Sequence, residues 1–383
     1  MINELDNFIT LIKIGQNVIK RFILNLLEYF LKYIIRIKKG GIKMKIVKIE
    51  EAVGSVLGHD LTMIIPGKYK GAAFKKGHVI KEEDIEVLKS MGKNHINIIE
   101  LCDGKLHEDE AAKRIGKAAI GEGMYLSEPS EGKVLLKSKH RGIIKINLES
   151  LNAVNNIDKV SLATRHNNIL VEKDEIIGAT RIIPLVIEEE NIKKVEDICE
   201  NLGKVVSIKE LQALKVGVII TGTEVYEGRI KDRFAPILKE KIEYYGGELL
   251  EIKYTPDDRE KIEEGMRNLI KSGADIVLAT GGMSVDADDV TPIAIKNVSD
   301  KVVSYGIPAL PGNMLMIAYF KDIPIIGIPA GALYCKITSF DLLFPRIMAG
   351  DIIQKQDITS LGHGGFCLQC KECIYPNCAF GKA

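Results

Sequence analysis

The sequence predicts an α/β protein: a mostly parallel, three-layer sheet domain, preceded by a small mixed domain and a small β-barrel-like domain. Three observations carry this. From Lys215 to Gly350, apolar strands alternate with helices, as in a parallel sheet covered on both faces. From Met124 to Glu188, short apolar runs are separated by turn residues, the spacing of a small barrel or sandwich. The 383 residues are 46% hydrophobic and 27% charged, enough apolar material for a real core. That composition excludes a mainly disordered chain, a collagen and a disulfide-stapled miniprotein.

The net charge of +1 hides a division. Residues 1–43 carry 8 basic and 3 acidic residues, a net of +5, which leaves −4 on the remainder. A body so balanced gives no electrostatic reason to expect nucleic acid. Trp is absent and aromatics are only 6%, which also argues against a base-stacking platform.

Two readings stand for residues 1–43. Arg21, Asn25, Glu28, Lys32 and Arg36 share one helical face opposite Phe22, Ile23, Leu26, Leu27 and Phe30. That pattern suits an amphipathic helix on a membrane or a partner, and membrane contact is expected only if this segment is real. No run reaches about 18 apolar residues, so a membrane span is not expected. Nor is a signal peptide, so the chain is expected to be cytoplasmic. Alternatively, Lys39-Gly40-Gly41 can be encoded as a ribosome-binding sequence just ahead of Met44. The leader is then translated spacer and Met44 the start, which is the reading favoured by its Ile, Lys and Asn content.

Residues 44–120 read as a small α+β unit, with strands at Ile46–Ile49 and Asn97–Ile99 and helices at Lys81–Met91 and Glu108–Ala119. Residues 121–190 are the barrel-like unit, and 191–212 a polar linker helix stopped by Gly203. Residues 213–350 form the main domain. Its strands are Val216–Ile220, Leu249–Lys253, Asp275–Ala279 and Ile323–Ile328, and its helices Pro236–Tyr245 and Asp257–Ser272. Residues 351–383 are a Cys-rich tail.

Ligands of such sheets bind at the carboxyl ends of strands. Two glycine-rich turns stand there: Thr221-Gly222-Thr223-Glu224, and Thr280-Gly281-Gly282-Met283-Ser284-Val285-Asp286-Ala287-Asp288-Asp289. Glycines let backbone approach a ligand, and their N–H groups can hold phosphate. Thr223 and Ser284 add hydroxyls. The three aspartates repel phosphate unless a divalent cation, most plausibly Mg²⁺, lies between. Either turn alone reads as a tight turn with a helix cap; together they read as a site. Pro311-Gly312-Asn313 and Pro329-Ala330-Gly331-Ala332 supply two further turns, and Asn313 can hydrogen-bond a heterocycle.

In order and spacing, the ITGTEVYEG, TGGMSVDADD and PGN stretches resemble the molybdopterin-binding domain over about Lys215–Gly350. That domain is shared by molybdopterin molybdotransferases, molybdopterin adenylyltransferases and the competence/damage-inducible A proteins. The resemblance implies a pyranopterin dithiolene, or its adenylated form, bound across the strand ends. It places the family's glycine–serine–aspartate motif on Gly281, Gly282, Ser284 and Asp289, with Asp289 the acidic residue tied to Mg²⁺ and catalysis. Gly222, Thr223 and Glu224 fall on a second motif, so Asp289 and Glu224 are the expected catalytic pair. Thr280, Asp286, Asp288, Pro311, Gly312 and Asn313 complete the expected binding set. Residues 44–190 look more loosely like the molybdotransferase accessory domains, and the family resemblance implies a homo-oligomer.

There are departures. Thr223 replaces Asp, Asp286 replaces Gly, and Asn313 stands where molybdotransferases commonly carry Lys, which loses a cation suited to molybdate or phosphate. Ala330-Gly331-Ala332 does not reproduce their last turn, their amino-terminal Asp-x-Ser-Ala-Met-Asp-Gly segment is missing, and the residues after Gly350 are too few for their carboxy-terminal β domain.

Of seven cysteines, Cys102, Cys199 and Cys335 are scattered and read as ordinary thiols. Cys367-x2-Cys370-x2-Cys373-x4-Cys378 has spacing that can reach one Zn²⁺ or an iron–sulfur cluster, with His363 as a spare ligand.

The expected function is Mg²⁺-assisted metal insertion into molybdopterin, with molybdate as the other substrate. A non-catalytic carrier that hands the cofactor to a recipient molybdoenzyme is the first alternative. A nucleotide pyrophosphatase, as among the competence/damage-inducible relatives, is the second.

Overall fold

A computed structural model describes residues 42–65, 69–101, 104–284, 286 and 288–382. The expectation for the leader therefore lies outside the described residues, except that Ile42 and Lys43 open the first strand. Cys102 is also outside them. No helix among the described residues is long and apolar enough to cross a membrane.

The first unit pairs Ile42–Lys48 antiparallel with His95–Leu101, and Leu61–Ile65 with Tyr69–Phe74. Ile49, Leu57, Ile80, Leu88 and Ile96 give it a core of its own.

The second unit holds a three-stranded and a four-stranded sheet. Helix Glu108–Ala119, expected in the preceding unit, and helix Glu189–Asn201, expected as a linker, both pack here. Ala111, Ile115, Ile192 and Val195 share one core with Leu136, Ile144 and Ile177. Arg114 joins the two helices through Glu189 and Glu196, each at 2.7 Å.

The third unit carries the site. Its strands are β1 (Lys215–Thr221), β2 (Glu248–Thr255), β3 (Ile276–Thr280), β4 (Lys301–Tyr305), β5 (Met316–Phe320) and β6 (Ile323–Ile328). The order is β2-β1-β3-β6-β5-β4. The first four in that order are mutually parallel; β5 pairs antiparallel with β6, and β4 antiparallel with β5. Helices α1 (Phe234–Tyr244), α2 (Arg259–Lys271), α3 (Thr291–Val298) and α4 (Ser339–Met348) cover it. Strand β3 is buried throughout, as a central parallel strand covered on both faces must be. Val216, Val218 and Ile220 of β1 point into one core with Phe340 and Phe344 of α4. Ile219 of the same strand points into another with Ile262 and Met266 of α2 and Ile295 of α3. Alternation along one strand thus produces the three layers.

The register sets the level of the turns. Ile220 pairs with Thr280, and Thr280 with Ile328, so β1, β3 and β6 end side by side. Strand β4 runs in the same sense and delivers Tyr305 and the Pro311 turn to that edge.

Candidate functional site: the strand-end turns

The first turn is built on Gly222, whose φ of 139° only glycine adopts comfortably. It precedes a single helical turn, Thr223–Tyr226. The Thr223 N–H and hydroxyl both donate to Asp257 Oδ2, at 2.8 and 3.1 Å, and the Asp257 N–H returns to the hydroxyl at 3.2 Å. Thr223 is thereby committed to its neighbour. The Asp257-Asp258 pair stands at the start of α2 as its sequence suggests, with Asp258 the cap, accepting from Lys261 N–H. Glu224 is exposed beside the turn.

The second turn meets the first. Gly281 has φ 93°, and a Cβ there would lie 2.2 Å from the Thr221 carbonyl oxygen and 2.4 Å from its hydroxyl. Only glycine lets the two strand ends approach so closely. The Thr221 hydroxyl in turn meets that of Thr291, at the start of α3. Thr280 is fully buried, and its hydroxyl donates to the Ile328 carbonyl, so it joins β3 to β6 and faces away from solvent.

Asp289 holds the second turn together. Its Oδ2 accepts the Ser284 N–H at 2.8 Å, and its own N–H donates to the Asp286 carbonyl at 3.0 Å. Its Oδ1 faces Gly282, where a Cβ would lie 3.5 Å away. Asp286, Asp288 and Ser284 are exposed around it. Tyr305 reaches across from β4, its hydroxyl 3.1 Å from the Met283 carbonyl and 3.0 Å from that of Ser284. Partial burial and the charge of Asp289 raise the Tyr305 pKa, so the hydroxyl remains a donor.

The Pro311 turn is braced from α4. The Ser339 hydroxyl donates to the Gly312 carbonyl at 2.5 Å, and the Ser339 N–H to that of Pro311 at 3.0 Å. Gly312 has φ 100°, and a Cβ there would lie 2.5 Å from Ser339 Oγ. The Asn313 amide donates to the Ile307 carbonyl at 2.6 Å, while the residue itself stays exposed. The fourth turn is adjacent, with the ideal Cβ position of Gly331 3.9 Å from the Gly312 nitrogen.

The structure therefore brings the expected strand-end residues to one edge. Gly281, Gly282 and Asp289 are partly exposed there, and Ser284, Glu224, Asp286, Asp288 and Asn313 are exposed. Thr223 and Thr280 are turned to internal partners. Thr291 and Tyr305 were not singled out by sequence, Thr221 was read only as part of the first turn, and Asp257 only at the start of a helix. The Asp257-Asp258 pair was a visible signal, whereas a lone tyrosine ending a strand is none. Cavities of about 520 and 460 Å³ flank the row of turns, one beside Val225 and Tyr226 and the other beside Ala332 and Cys335. Among the described residues, no three His, Cys, Asp or Glu side chains are gathered to hold a metal ion, at these turns or in the tail.

Comparison with known proteins bears on this edge. A family described as a probable molybdopterin binding domain matches residues 217–349, and a domain of unknown function matches 46–100. A CinA-like protein of Mycobacterium sp. (strain JLS) is 38% identical over 77 residues, 20% of this chain and 18% of that protein. A molybdopterin molybdenumtransferase of Synechococcus elongatus is 27% identical over 146 residues, 36% of each chain. The chain thus spans well under half the length of these relatives. Among solved structures, the Mog protein of Mycobacterium ulcerans is 21% identical with TM-score 0.32, covering 36% of this chain and 97% of that one. A tungsten cofactor synthesizing protein, MoaB, of Pyrococcus furiosus is 24% identical with TM-score 0.29, covering 35% and 91%. Residues 217–349 of this chain belong to the probable molybdopterin binding domain family.

Proposed function

We propose that the strand-end turns bind molybdopterin or its adenylated form, and that the chain promotes metal insertion into it with Mg²⁺ held by Asp289. The observation that carries this reading is the Asp289 carboxylate. One oxygen is fixed by the Ser284 N–H, while the other faces Gly282 on a turn whose Ser284, Asp286 and Asp288 are exposed. Mg²⁺ usually takes only one or two protein carboxylates and completes its shell with water and phosphate oxygens, so Asp289 with a rim carboxylate fits it. When bound, the ion would neutralise phosphate charge. Gly281 and Gly282 set the backbone of the turn against β1 and α3, the exposed Ser284 hydroxyl offers a hydrogen bond, and Tyr305 keeps the turn in place. Molybdate and a recipient molybdoenzyme complete this reading.

A carrier without turnover is the second reading. It is supported by the internal commitment of Thr223 to Asp257, which leaves one group fewer to act on a bound ligand.

The test uses the full chain under anaerobic conditions with molybdopterin, Mg²⁺ and molybdate. Ligand binding with Mg²⁺-dependent metal insertion supports the first reading. Stoichiometric binding without turnover supports the carrier. Absence of binding together with cleavage of ADP-ribose would replace both with a pyrophosphatase, in keeping with the CinA-like similarity.

A further inference from the structure

The four clustered cysteines take no part in the strand-end site. They lie on residues 364–381, a segment without helix or named strand whose one β-bridge joins Phe366 to Leu310, and which the fold closes into a loop. The Gly381 N–H donates to the Gly364 carbonyl at 2.9 Å. At Gly364 a Cβ would lie 2.7 Å from the Lys382 carbonyl oxygen, so the two ends touch. The loop is also tied outward. The Leu310 N–H donates to the Gly365 carbonyl at 2.7 Å, and the Cys367 N–H to that of Leu310 at 2.9 Å.

Cys367 and Cys378 occupy the two stems, each three residues inside the closing bond. Both are half-buried against the core that holds Phe340 and Leu342. Cys370 and Cys373 are exposed at the tip. Loops this long without regular structure are uncommon unless they serve a purpose. Phe380 is buried in that core and Tyr375 packs partly buried against it, so the stems are anchored while the tip is not.

We propose that Cys367, Cys370, Cys373 and Cys378 form a four-thiolate site for a thiophilic metal centre, the exposed pair closing onto the anchored pair. Two local features favour it. The Gln369 N–H donates to Cys367 Sγ, 3.4 Å away, and fixes the orientation of that side chain. Gln369 itself has φ 50°, a bend that turns the chain back after Cys367. Binding requires no redox step: four S–H bonds are lost, four metal–sulfur bonds form, and the protons pass to buffer.

The experiment purifies the full chain anaerobically, measures zinc, iron and acid-labile sulfide, and titrates metal-free protein with Co²⁺ as a spectroscopic probe. About one zinc per chain, or iron with sulfide and visible absorption, supports the site and tells the two centres apart. Intense thiolate-to-Co²⁺ absorption with proton release supports it independently. Cys370→Ser and Cys373→Ser change exposed residues, so circular dichroism should match the parent while metal affinity falls by about tenfold or more. Cys199→Ser with Cys335→Ser should retain the metal. The proposal is overturned if the protein carries neither metal and takes up no Co²⁺, or if the tip variants bind metal as tightly as the parent.

Discussion

The carbonyl oxygen of Thr221 and the Cα of Gly281 approach so closely that a single methyl group on Gly281 would sit 2.2 Å from that oxygen. The first two turns thus form one unit, joined across neighbouring strands β1 and β3. Gly281→Ala is expected to destabilise the protein by about 1–3 kcal/mol, since both the clash and the φ of 93° oppose it. Urea unfolding checks the stability, and pterin fluorescence titration the affinity, which should fall with it. Unchanged values for both would mean that the strand ends can separate freely.

Asp289 combines a structural bond with a candidate catalytic one. In Asp289→Asn, the amide oxygen can still accept the Ser284 N–H, so the midpoint of unfolding should move little. Mg²⁺-dependent turnover should fall by about tenfold or more. Asp289→Ala should lose both. If turnover in the asparagine variant equals that of the parent, Asp289 has no role in the reaction.

Tyr305 supports the second turn from β4 through two carbonyls. Tyr305→Phe retains the ring and removes the donor. A loss of about 0.5–1.5 kcal/mol in stability is expected, with weaker ligand binding. Equal affinity in parent and variant would show that the turn is held without it.

Two buried neighbours at the start of helix Glu108–Ala119 make an opposed pH pair. Burial raises the Glu108 carboxyl to about 7, helped by Asp109 and opposed by Arg181. Burial lowers the His107 imidazole to about 4, and the Lys76 ammonium acts in the same direction. The neutral ring fits its contacts: Nε2–H donates to the Gly58 carbonyl, and Nδ1 faces the Lys76 ammonium. Glu108, raised in the folded state, contributes stability below about 4.5 that is lost as pH rises to about 7. His107, lowered, contributes stability above about 6.5 that is lost as pH falls to about 4. Between these limits the two slopes oppose, so the parent should show a flat profile. Glu108→Gln should unmask the histidine, with stability rising from pH 4 to 6.5 by an amount on the order of 2 kcal/mol. A flat profile in the variant would remove His107 from the balance.

The row of strand ends was legible because buried parallel strands read as unbroken apolar runs, and a glycine at the end of each run marks where backbone must turn. The direction of hydroxyls was not legible. Thr280 and Thr223 look alike in sequence, yet one bridges to Ile328 and the other to Asp257. Residue type states what a side chain can donate, not which neighbour consumes it. Helix Glu108–Ala119 shows the same limit at a larger scale. Its apolar stripe was visible, but not that Ala111 and Ile115 face Leu136 and Ile144 rather than the preceding unit. Cysteine spacing likewise disclosed a cluster, while its stem-and-tip arrangement required the closure between Gly364 and Gly381.

The mutual bonds of Thr223 and Asp257 have a kinetic consequence. Because the first turn is already latched to the end of β2, its conformational entropy is lost during synthesis and folding, not at each ligand encounter. The same holds where Ser339 grips the Pro311 turn. A ligand arriving from solvent meets an edge whose shape is set beforehand. Its association should then follow simple second-order kinetics, with a rate proportional to concentration and no plateau from a slow rearrangement of these turns.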